Sequence, residues 1–257
     1  MDFTRVVDSM ITVAAVSPSP IADRRSPIVS AMPPRRLLAL DLDGTVVDEH
    51  CLLPGAHRDA LATIATMDVA IAIVTGRSLL TTRPVWKLLG LTTPLVCFNG
   101  AWVGLPGCNP IAQCVLEEDD VRLIFSELAG IDGAVCCYPT ADRWLMDREL
   151  PLTRHWRELY QVPIDIIPDL RAMWRGSSCK MMFVARPELI APTIARLRAR
   201  LGERFHFVIS QHDRFEIHRH GITKAWGLGK LANHPQFVAL TVHRDAFGMI
   251  EKIGARI

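Results

Sequence analysis

Short apolar runs alternate with helical patterns along the chain after residue 34. Three runs, at 35–40, 69–74 and 94–98, each end in polar residues and glycine. Between them, 57–67 places apolar residues on one helical face, and 84–89 is a further helical piece. Buried strands that alternate with helices predict an α/β fold with a doubly wound, parallel, Rossmann-like sheet. Ligands bind beyond the carboxyl ends of the strands in such sheets, which is where the polar clusters fall.

The pattern changes between residues 102 and 218. This stretch contains predicted strands at 178–185 and 205–210, an amphipathic helix at 187–201, and a return strand at 214–218 that completes a hairpin. Strands and helices in this order predict α+β material. We therefore expect a second, smaller domain inserted between strands of the first.

A parallel pattern resumes after this insertion. The predicted elements are a helix at 224–232, a strand at 237–241, a helix at 247–253 and a beginning strand at 255–257. The chain is thus predicted to divide into a core domain at 35–101 and 219–257 and a cap domain at 102–218.

Residues 1–34 differ from the rest of the chain. They contain three Ser-Pro pairs, one Pro-Pro pair and one short apolar stretch at 10–16. Such a composition predicts a disordered extension outside the fold. A signal peptide is disfavoured because Asp2 and Asp8 interrupt the region that should be purely basic. Because Met32 lies just before the first strand, we expect a start codon assigned too far upstream.

Composition and charge exclude several classes of function. The 257 residues include 29 Lys and Arg against 27 Asp and Glu, for a net charge of +2, and the basic residues are scattered. This balance provides no patch for nucleic acid, and no apolar run approaches the ~20 residues that span a bilayer. The seven cysteines contain no C-x-x-C pair, which disfavours a zinc site or a disulfide framework. We expect a cytoplasmic protein with reduced thiols and neither nucleic-acid nor membrane partners.

The first strand is followed by Asp41, Asp43 and Gly44. Two carboxylates spaced in this way face the ligand crevice, and the glycine permits a tight turn that brings backbone N–H groups toward an anion. The pair could hold a divalent cation, or divide into a nucleophile and a general acid/base. An EF-hand loop is excluded because its glycine belongs at the sixth position rather than the fourth. Taken alone, the pattern is equally compatible with a solvated turn.

Several segments together resemble the haloacid dehalogenase (HAD) superfamily. They are Asp41-Leu42-Asp43-Gly44-Thr45, Thr75-Gly76-Arg77, Asn99-Gly100-Ala101, and Phe215-Glu216-Ile217 followed by Gly221-Ile222-Thr223-Lys224. Their order and spacing are similar to those of the Cof-type phosphatases, which carry a large α+β cap after the third strand. The resemblance implies a phosphatase that acts on a small phosphorylated metabolite, with Mg²⁺ as cofactor and with the cap choosing the substrate.

The resemblance also implies roles for individual residues. Asp41 would be the nucleophile that forms an aspartyl-phosphate, and Asp43 would protonate the leaving oxygen and later take a proton from water. Thr75 would donate its hydroxyl to a phosphoryl oxygen, and Lys224 would place a cation beside Asp41 and the phosphoryl group. The other positions assigned to substrate phosphate are Gly44, Thr45, Gly76, Arg77 and Asn99. The residues alone leave open a helix N-cap at Thr75 and a solvated side chain at Lys224.

The fourth motif of the superfamily, G-D-x-x-x-D, is degenerate in this chain. Its expected acids fall on Val242 and Ala246, and Asp245 lies one position early. The implied Mg²⁺ ligands are therefore Asp41 and Asp43, with Asp245 as a weak third. Because loss of a carboxylate beside a divalent ion removes several kcal/mol, we expect an impaired phosphatase from a shortened or degenerate gene. The alternative is a non-catalytic relative that binds a phosphate ligand or a protein.

Two further clusters carry weaker meaning. Trp144, Trp156 and Trp174 lie near arginines in the predicted cap; they could stack on a substrate, but core packing is the favoured interpretation. The histidines around the predicted hairpin, among them His218, have no set of metal-ligand partners, and we expect them to be solvated. No G-x-G-x-x-G follows a strand, which excludes a dinucleotide-binding domain.

Overall fold

The computed structural model of the protein describes residues 36–48, 50–65 and 69–233. The predictions that lie outside these residues are the N-terminal extension, the elements at 237–241, 247–253 and 255–257, and the metal ligand Asp245.

Three strands, β1 (Arg36–Leu40), β2 (Val69–Ile73) and β3 (Leu95–Cys97), form the parallel part of the core. β1 and β2 pair in parallel along their whole length, and a parallel bridge between Val74 and Val96 attaches β3. The connecting helices are α1 (Gly55–Ala65) and α2 (Leu79–Leu88). Parallel neighbours need such crossover helices, which cover the sheet and explain the continuous apolar runs of the strands. The predicted α/β core is confirmed.

Two short strands continue the sheet beyond β3. β4 (Trp102–Gly104) pairs antiparallel with β3, and β5 (Ala112–Gln113) pairs antiparallel with β4. Residues 102–113 therefore lie with the core sheet, whereas the sequence prediction placed them in the cap. The tight 3₁₀ turn at Phe98–Gly100 reverses the chain and makes this antiparallel return possible. The rest of the predicted domain division stays a prediction.

The inserted domain is built on a six-stranded sheet with helices packed against it. The strands, in the spatial order β10-β11-β9-β6-β7-β8, are β6 (Ala134–Cys137), β7 (Leu145–Met146), β8 (Asp165–Ile166), β9 (Met181–Val184), β10 (Phe205–Gln211) and β11 (Arg214–Arg219). The helices are α3 (Glu118–Glu127), α4 (Pro151–Tyr160), α5 (Leu170–Met173) and α6 (Pro187–Leu201). The predicted helix at 187–201 and the β10–β11 hairpin are confirmed.

Both faces of the central cap strands β6 and β9 are buried. Because strand side chains alternate between faces, Val135 and Phe183 pack into one apolar cluster with residues of α3 and α6. Cys136 and Met182 point the other way and belong to the same cluster as Phe98 of the core. The cap sheet is therefore held between its own helices and the core domain, which explains why β6 and β9 carry no outward polar face.

The three tryptophans of the cap are buried, as the core-packing interpretation predicts. Trp174 packs edge-on against Phe125 on the helical side of the sheet. Trp144 and Trp156 lie 5.1 Å apart between ring centroids and also line the cavity between cap and core.

A final helix, α7 (Lys224–Ala232), packs back on the core strands β3 and β4. The predicted helix at 224–232 is thereby confirmed. Among the described residues the longest helix, α6, has 15 residues, and none of the helices there is both long and apolar enough to cross a membrane.

Candidate active site

Asp41 and Lys224 form an ion pair at the carboxyl end of β1. Asp41 is the first residue after that strand, and Lys224 is the first residue of α7. The Lys224 Nζ donates to Asp41 Oδ2 over 2.6 Å, and the two side chains are 33% and 24% exposed, respectively. The lysine cation therefore stands beside the predicted nucleophile, as the resemblance implies, and both groups face the cavity.

Close backbone contacts place Lys224 beside Asp41. A Cβ on Gly100 would lie 2.0 Å from the carbonyl oxygen of Thr223, and a Cβ on Gly227 would lie 2.5 Å from Val96 Cγ1 and 2.8 Å from Gly100 Cα. Only glycine permits this approach of the helix to β3 and its turn. The side chain of Thr223 caps the helix by accepting from the backbone N–H of Trp226. The first turn of α7 is thereby anchored at the strand ends.

Asp43 is held by Arg77 of the loop after β2. The Arg77 Nε donates to both carboxylate oxygens of Asp43, at 3.1 and 3.0 Å, and Nη2 also contacts the carboxylate. Nη2 additionally contacts Cys51 Sγ at 3.0 Å, and the guanidinium carbon lies 5.1 Å from the ring centroid of Tyr160 on α4. Although burial lowers the pKa of Arg77, the hydrogen bond and charge of Asp43 hold it above its usual value. Arg77 thus joins the predicted acid to the cap.

The loop from Leu42 to Val47 satisfies most of its own backbone groups. Gly44 has φ +71°, in the left-handed region that glycine adopts freely. Its N–H donates to the Val47 carbonyl, and the N–H of Thr45 donates to the Leu42 carbonyl. Gly44 lines the cavity and Thr45 does not. Phosphate binding by these two N–H groups stays a prediction that requires those hydrogen bonds to open.

Thr75, Gly76 and Asn99 lie together where β2 and β3 end. Thr75 is fully buried, its Oγ1 accepts from the Arg77 N–H at 3.1 Å, and it does not line the cavity. Gly76 and Asn99 do line it, and a Cβ on Gly76 would lie 2.9 Å from Asn99 Oδ1. Asn99 adopts φ 53° and ψ 32°, a conformation that asparagine tolerates better than most residues. The predicted phosphate-binding positions therefore converge, with Thr75 behind the cavity wall.

A buried ion pair of the cap contacts Gly76 and Asn99. Lys180 Nζ donates to Glu216 Oε1 at 2.5 Å and to the Gly76 carbonyl at 3.0 Å. Glu216 Oε2 accepts from Asn99 Nδ2 at 2.9 Å and lies 3.1 Å from His218 Nε2. Strand β11 and the residue that precedes β9 are thereby bonded to the two core loops that carry Gly76 and Asn99. We call Lys180, Glu216, His218 and Asn99 the cap–core network.

Burial and charge set the protonation of this network. Burial raises the pKa of Glu216, but the charge of Lys180 and the hydrogen bond and charge of His218 outweigh it and bring the pKa to about 2. Burial lowers the pKa of His218 despite the neighbouring carboxylate. His218 is 0% exposed, so the expectation that it is solvated was wrong. It lies on the inward face of β11 with Nε2 beside Glu216 Oε2, and Nδ1 has no hydrogen-bond partner among the described residues.

The site opens into a cavity of ≈ 600 Å³ between cap and core. Of the predicted residues, those that line it are Asp41, Asp43, Gly44, Gly76, Arg77, Asn99 and Lys224. The cap contributes an apolar and aromatic wall that includes Tyr138, Trp156 and Met182. Polar groups on one side and rings on the other are typical of a site for a small organic ligand with a charged end.

Oxygen ligands for a cation come from the loop after β1. Asp41 and Asp43 are acidic and face the cavity, and no cluster of three or more His, Cys, Asp or Glu suited to a metal exists within the described part of the chain. Mg²⁺ is commonly bound through one or two carboxylates, with water and substrate phosphate as the remaining ligands. The donors present therefore fit Mg²⁺ in kind.

Sequence reasoning assigned no role to several residues of the site. Lys180 directly precedes the apolar strand β9, and Glu216 lies between the buried apolar residues Phe215 and Ile217 of β11. Opposite charges within two buried runs are costly unless they pair, and that cost is the indication that could have linked them. Arg214 lies on the same strand face as Glu216. It was assigned no role from the sequence either, because its burial depends on the tertiary structure.

Comparison with known proteins supports the motif-based resemblance. A family model described as haloacid dehalogenase-like hydrolase matches residues 38–240. An HMP-PP phosphatase of Enterobacter sp. (strain 638) is 24% identical over 199 residues, which cover 77% of this chain and 72% of that protein. A pyridoxal phosphate phosphatase of Escherichia coli (strain K12) is 35% identical over 89 residues, covering 35% of this chain and 31% of that protein.

The fold has solved counterparts. The crystal structure of a haloacid dehalogenase-like hydrolase from Bacteroides thetaiotaomicron superposes with a TM-score of 0.69 at 18% identity, over 78% of this chain and 76% of that chain. Identity at this level shows the shared fold of core and cap, and the chemistry has to be argued from the residues of the site itself.

Proposed function

Because the chain belongs to the haloacid dehalogenase-like hydrolase family, we propose that it is a Mg²⁺-dependent phosphomonoester hydrolase that acts on a small phosphorylated metabolite through an aspartyl-phosphate. The observation that carries the proposal is the pairing of Asp41 with Lys224 at 2.6 Å, with Asp43 two residues further on the same cavity wall. A phosphatase relative matched along most of the chain supports the substrate class.

In the first step a carboxylate oxygen of Asp41 attacks phosphorus opposite the ester oxygen. A P–O bond forms to Asp41, the P–O bond to the organic group breaks, and the proton of Asp43 passes to the leaving oxygen. Lys224 lies beside Asp41 and offsets the negative charge of the carboxylate and the phosphoryl oxygens together. Phosphoryl transfer depends mainly on such positioning and charge neutralisation.

In the second step water attacks the phosphorus of the aspartyl-phosphate. Asp43 accepts a proton from the water, a new P–O bond forms, and the bond from phosphorus to Asp41 breaks. Inorganic phosphate leaves, and Asp41 is again a free carboxylate while Asp43 is again protonated. One residue thereby serves as acid and then as base, which requires that its carboxyl group reach both the leaving oxygen and the water.

Asp43 must break part of its hydrogen bonding with Arg77 before it can act as acid and base. Both carboxylate oxygens of Asp43 accept from Arg77 in the structure, while the Asp43 side chain is 58% exposed and that of Arg77 is 7% exposed. The exposed partner is the one that is free to rotate. We infer that Asp43 turns from the guanidinium when substrate enters, takes up a proton from solvent, and so reaches the leaving oxygen as the acid.

The metal would be held by Asp41 and by the backbone carbonyl of Asp43. Bound there, Mg²⁺ supplies positive charge to the phosphoryl oxygens. The third ligand implied by the resemblance is Asp245. It lies one position before the place at which the family pattern has its acid. We therefore propose that metal binding is weak and that turnover needs a high Mg²⁺ concentration.

The second candidate function is that of a non-catalytic phosphate-binding or protein-binding relative, which Val242 and Ala246 at the fourth-motif positions favour. Phosphate release from p-nitrophenyl phosphate, measured over a Mg²⁺ series with Asp41→Asn as control, separates the two. Slow, Mg²⁺-dependent release that is lost in the control supports an impaired phosphatase. Ordinary turnover at about millimolar Mg²⁺ contradicts the impairment, and release that is equal in the control contradicts the catalytic proposal.

A further inference from the structure

The cations that line the cavity differ in how they are paired. Lys224 is bonded to Asp41, Arg77 to Asp43 and Lys180 to Glu216, and all three acceptors line the same cavity. The fourth cation, Arg214, lines the cavity as well. It is therefore a guanidinium at the site whose charge no cavity carboxylate offsets among the described residues.

Arg214 has one poorly aligned acidic neighbour. Its Nη1 lies 3.3 Å from Asp213 Oδ1, in the turn of the β10–β11 hairpin. Neither atom has a hydrogen-bond partner in the described part of the chain, and the Arg214 side chain is 18% exposed. A largely buried guanidinium with unused donors leaves part of its desolvation cost uncompensated, which an incoming anion relieves.

Aromatic packing holds the guanidinium in place. Its carbon lies 5.2 Å from the ring centroid of Trp156. The Trp156 ring packs 5.1 Å from Trp144, and Trp144 packs 5.4 Å from Tyr138. Tyr138 in turn contacts Phe98 of the core edge-on at 5.3 Å. A continuous row of rings thus supports Arg214 from behind, so that little side-chain freedom remains to be lost when a ligand binds.

Arg214 lies away from the residues that are predicted to bind the substrate phosphate. Residues two apart on a strand share a face and lie about 6.6 Å apart. Arg214 and Glu216 are so related on β11, and Glu216 contacts Asn99 beside the predicted phosphate loops. The guanidinium accordingly faces the cavity further into the cap, where the organic part of a substrate would lie.

We propose that Arg214 is a second anion-binding point, which selects phosphomonoesters that carry another anionic group, such as a carboxylate, on their organic part. The inference rests on the proposed function, since it places the scissile phosphate at Asp41 and the second anion in the cap. An arginine with free N–H donors binds a carboxylate in a bidentate manner, and such a contact is worth on the order of tenfold to hundredfold in affinity.

Two matched pairs of compounds test the proposal at two lengths. 3-Phosphoglycerate differs from glycerol 3-phosphate, and 6-phosphogluconate from glucitol 6-phosphate, by a carboxylate in place of a hydroxymethyl group. Phosphate release is measured for all four with the wild-type chain, Arg214→Gln, Arg214→Lys, and Arg219→Gln as an exposed control on the same strand. We expect kcat/KM to favour the acid of at least one pair by on the order of tenfold or more. That preference should vanish in Arg214→Gln, persist in part in Arg214→Lys, and be unchanged in the control.

Other outcomes overturn the proposal. Equal kcat/KM within both pairs for the wild-type chain, or a preference that survives Arg214→Gln, contradicts an anion site at Arg214. If none of the four compounds releases phosphate, calorimetric binding of the same four compounds decides on the anion site. The proposed function itself fails only if p-nitrophenyl phosphate is not hydrolysed either. Tighter binding of an acid that is lost in Arg214→Gln keeps the anion site, and equal binding removes it. If kcat/KM falls equally for both members of a pair in Arg214→Gln, the variant is structurally damaged, and this result also counts against selectivity.

Discussion

The Lys224 ammonium nitrogen lies 2.6 Å from Asp41 Oδ2, although the two residues are 183 positions apart in the chain. One follows the first strand of the core and the other begins the helix that returns after the cap. The whole cap domain separates them in sequence, and the core sheet joins them in space. The first step proposed for phosphoryl transfer depends on this contact.

Removing the Lys224 charge should therefore abolish most of the activity. Lys224→Met leaves Asp41 and the phosphoryl oxygens without their protein cation, and we expect kcat to fall by about 10²- to 10³-fold. Lys224→Arg should recover part of it. Lys230→Met, an exposed position on the same helix, is the matched control and should leave kcat unchanged; similar losses in both variants would show that the helix, not the charge, is responsible.

Two glycines of α7 should respond oppositely to alanine. A Cβ at Gly227 meets Val96 and Gly100, whereas a Cβ at Gly229 meets nothing within 4 Å. Gly227→Ala should lower the free energy of unfolding by about 1–3 kcal/mol through overpacking and reduce kcat by shifting Lys224. Gly229→Ala should raise stability by about 0.5–1 kcal/mol through helix propensity. Urea unfolding and phosphate release measure both effects, and equal stability changes would contradict the close packing of α7.

The pair of Lys180 and Glu216 should behave as a unit. Their side chains are 4% and 10% exposed, so Glu216→Gln leaves a buried lysine without its counter-charge, at an expected cost of about 3–5 kcal/mol. The double variant Lys180→Met with Glu216→Gln should lose less than the single one. A double-mutant cycle by urea unfolding gives the coupling, and additive losses would mean that the two groups do not interact in the folded protein.

Acid should destabilise the protein partly through His218. Because burial lowers its pKa in the folded state, the unfolded chain takes up a proton first as pH falls below about 6.5. Stability then decreases by at most about 1.4 kcal/mol per pH unit. Glu216, whose pKa is brought to about 2, adds a further loss below its ordinary value near 4.5.

His218→Gln retains an N–H donor toward Glu216 without a titrating ring. Its free energy of unfolding should fall less than that of the wild-type chain between pH 7 and 5, as measured by urea titrations at fixed ionic strength. His212→Gln, an exposed residue of the hairpin turn, is the control. Parallel curves for the wild-type chain and His218→Gln would rule out a buried neutral histidine.

Local patterns were sufficient for the parallel strands and helices of the core and for the elements from Met181 to Arg219, whereas no element between Trp102 and Met173 was predicted from them. The helices at Pro187–Leu201 and Lys224–Ala232 begin and end where the sequence places them. The boundary after residue 101 was less well predicted, since β4 is three residues long and its assignment depends on pairing with β3. So short a strand has no periodicity to measure, and only its partner shows which sheet it joins.

The sequence by itself determined the family, the α/β core and the acids after the first strand, because each depends on residues adjacent in the chain and on the order of short motifs. Only the tertiary structure decided that Arg77 holds Asp43, that Lys180 and Glu216 join cap to core, and that Arg214 faces the cavity without a cavity carboxylate. The two charged pairs span 34 and 36 positions of the chain, and the contact of Lys180 with the Gly76 carbonyl spans 104. Whether a buried charge is paired depends on which strands become neighbours, and that is a property of the folded chain.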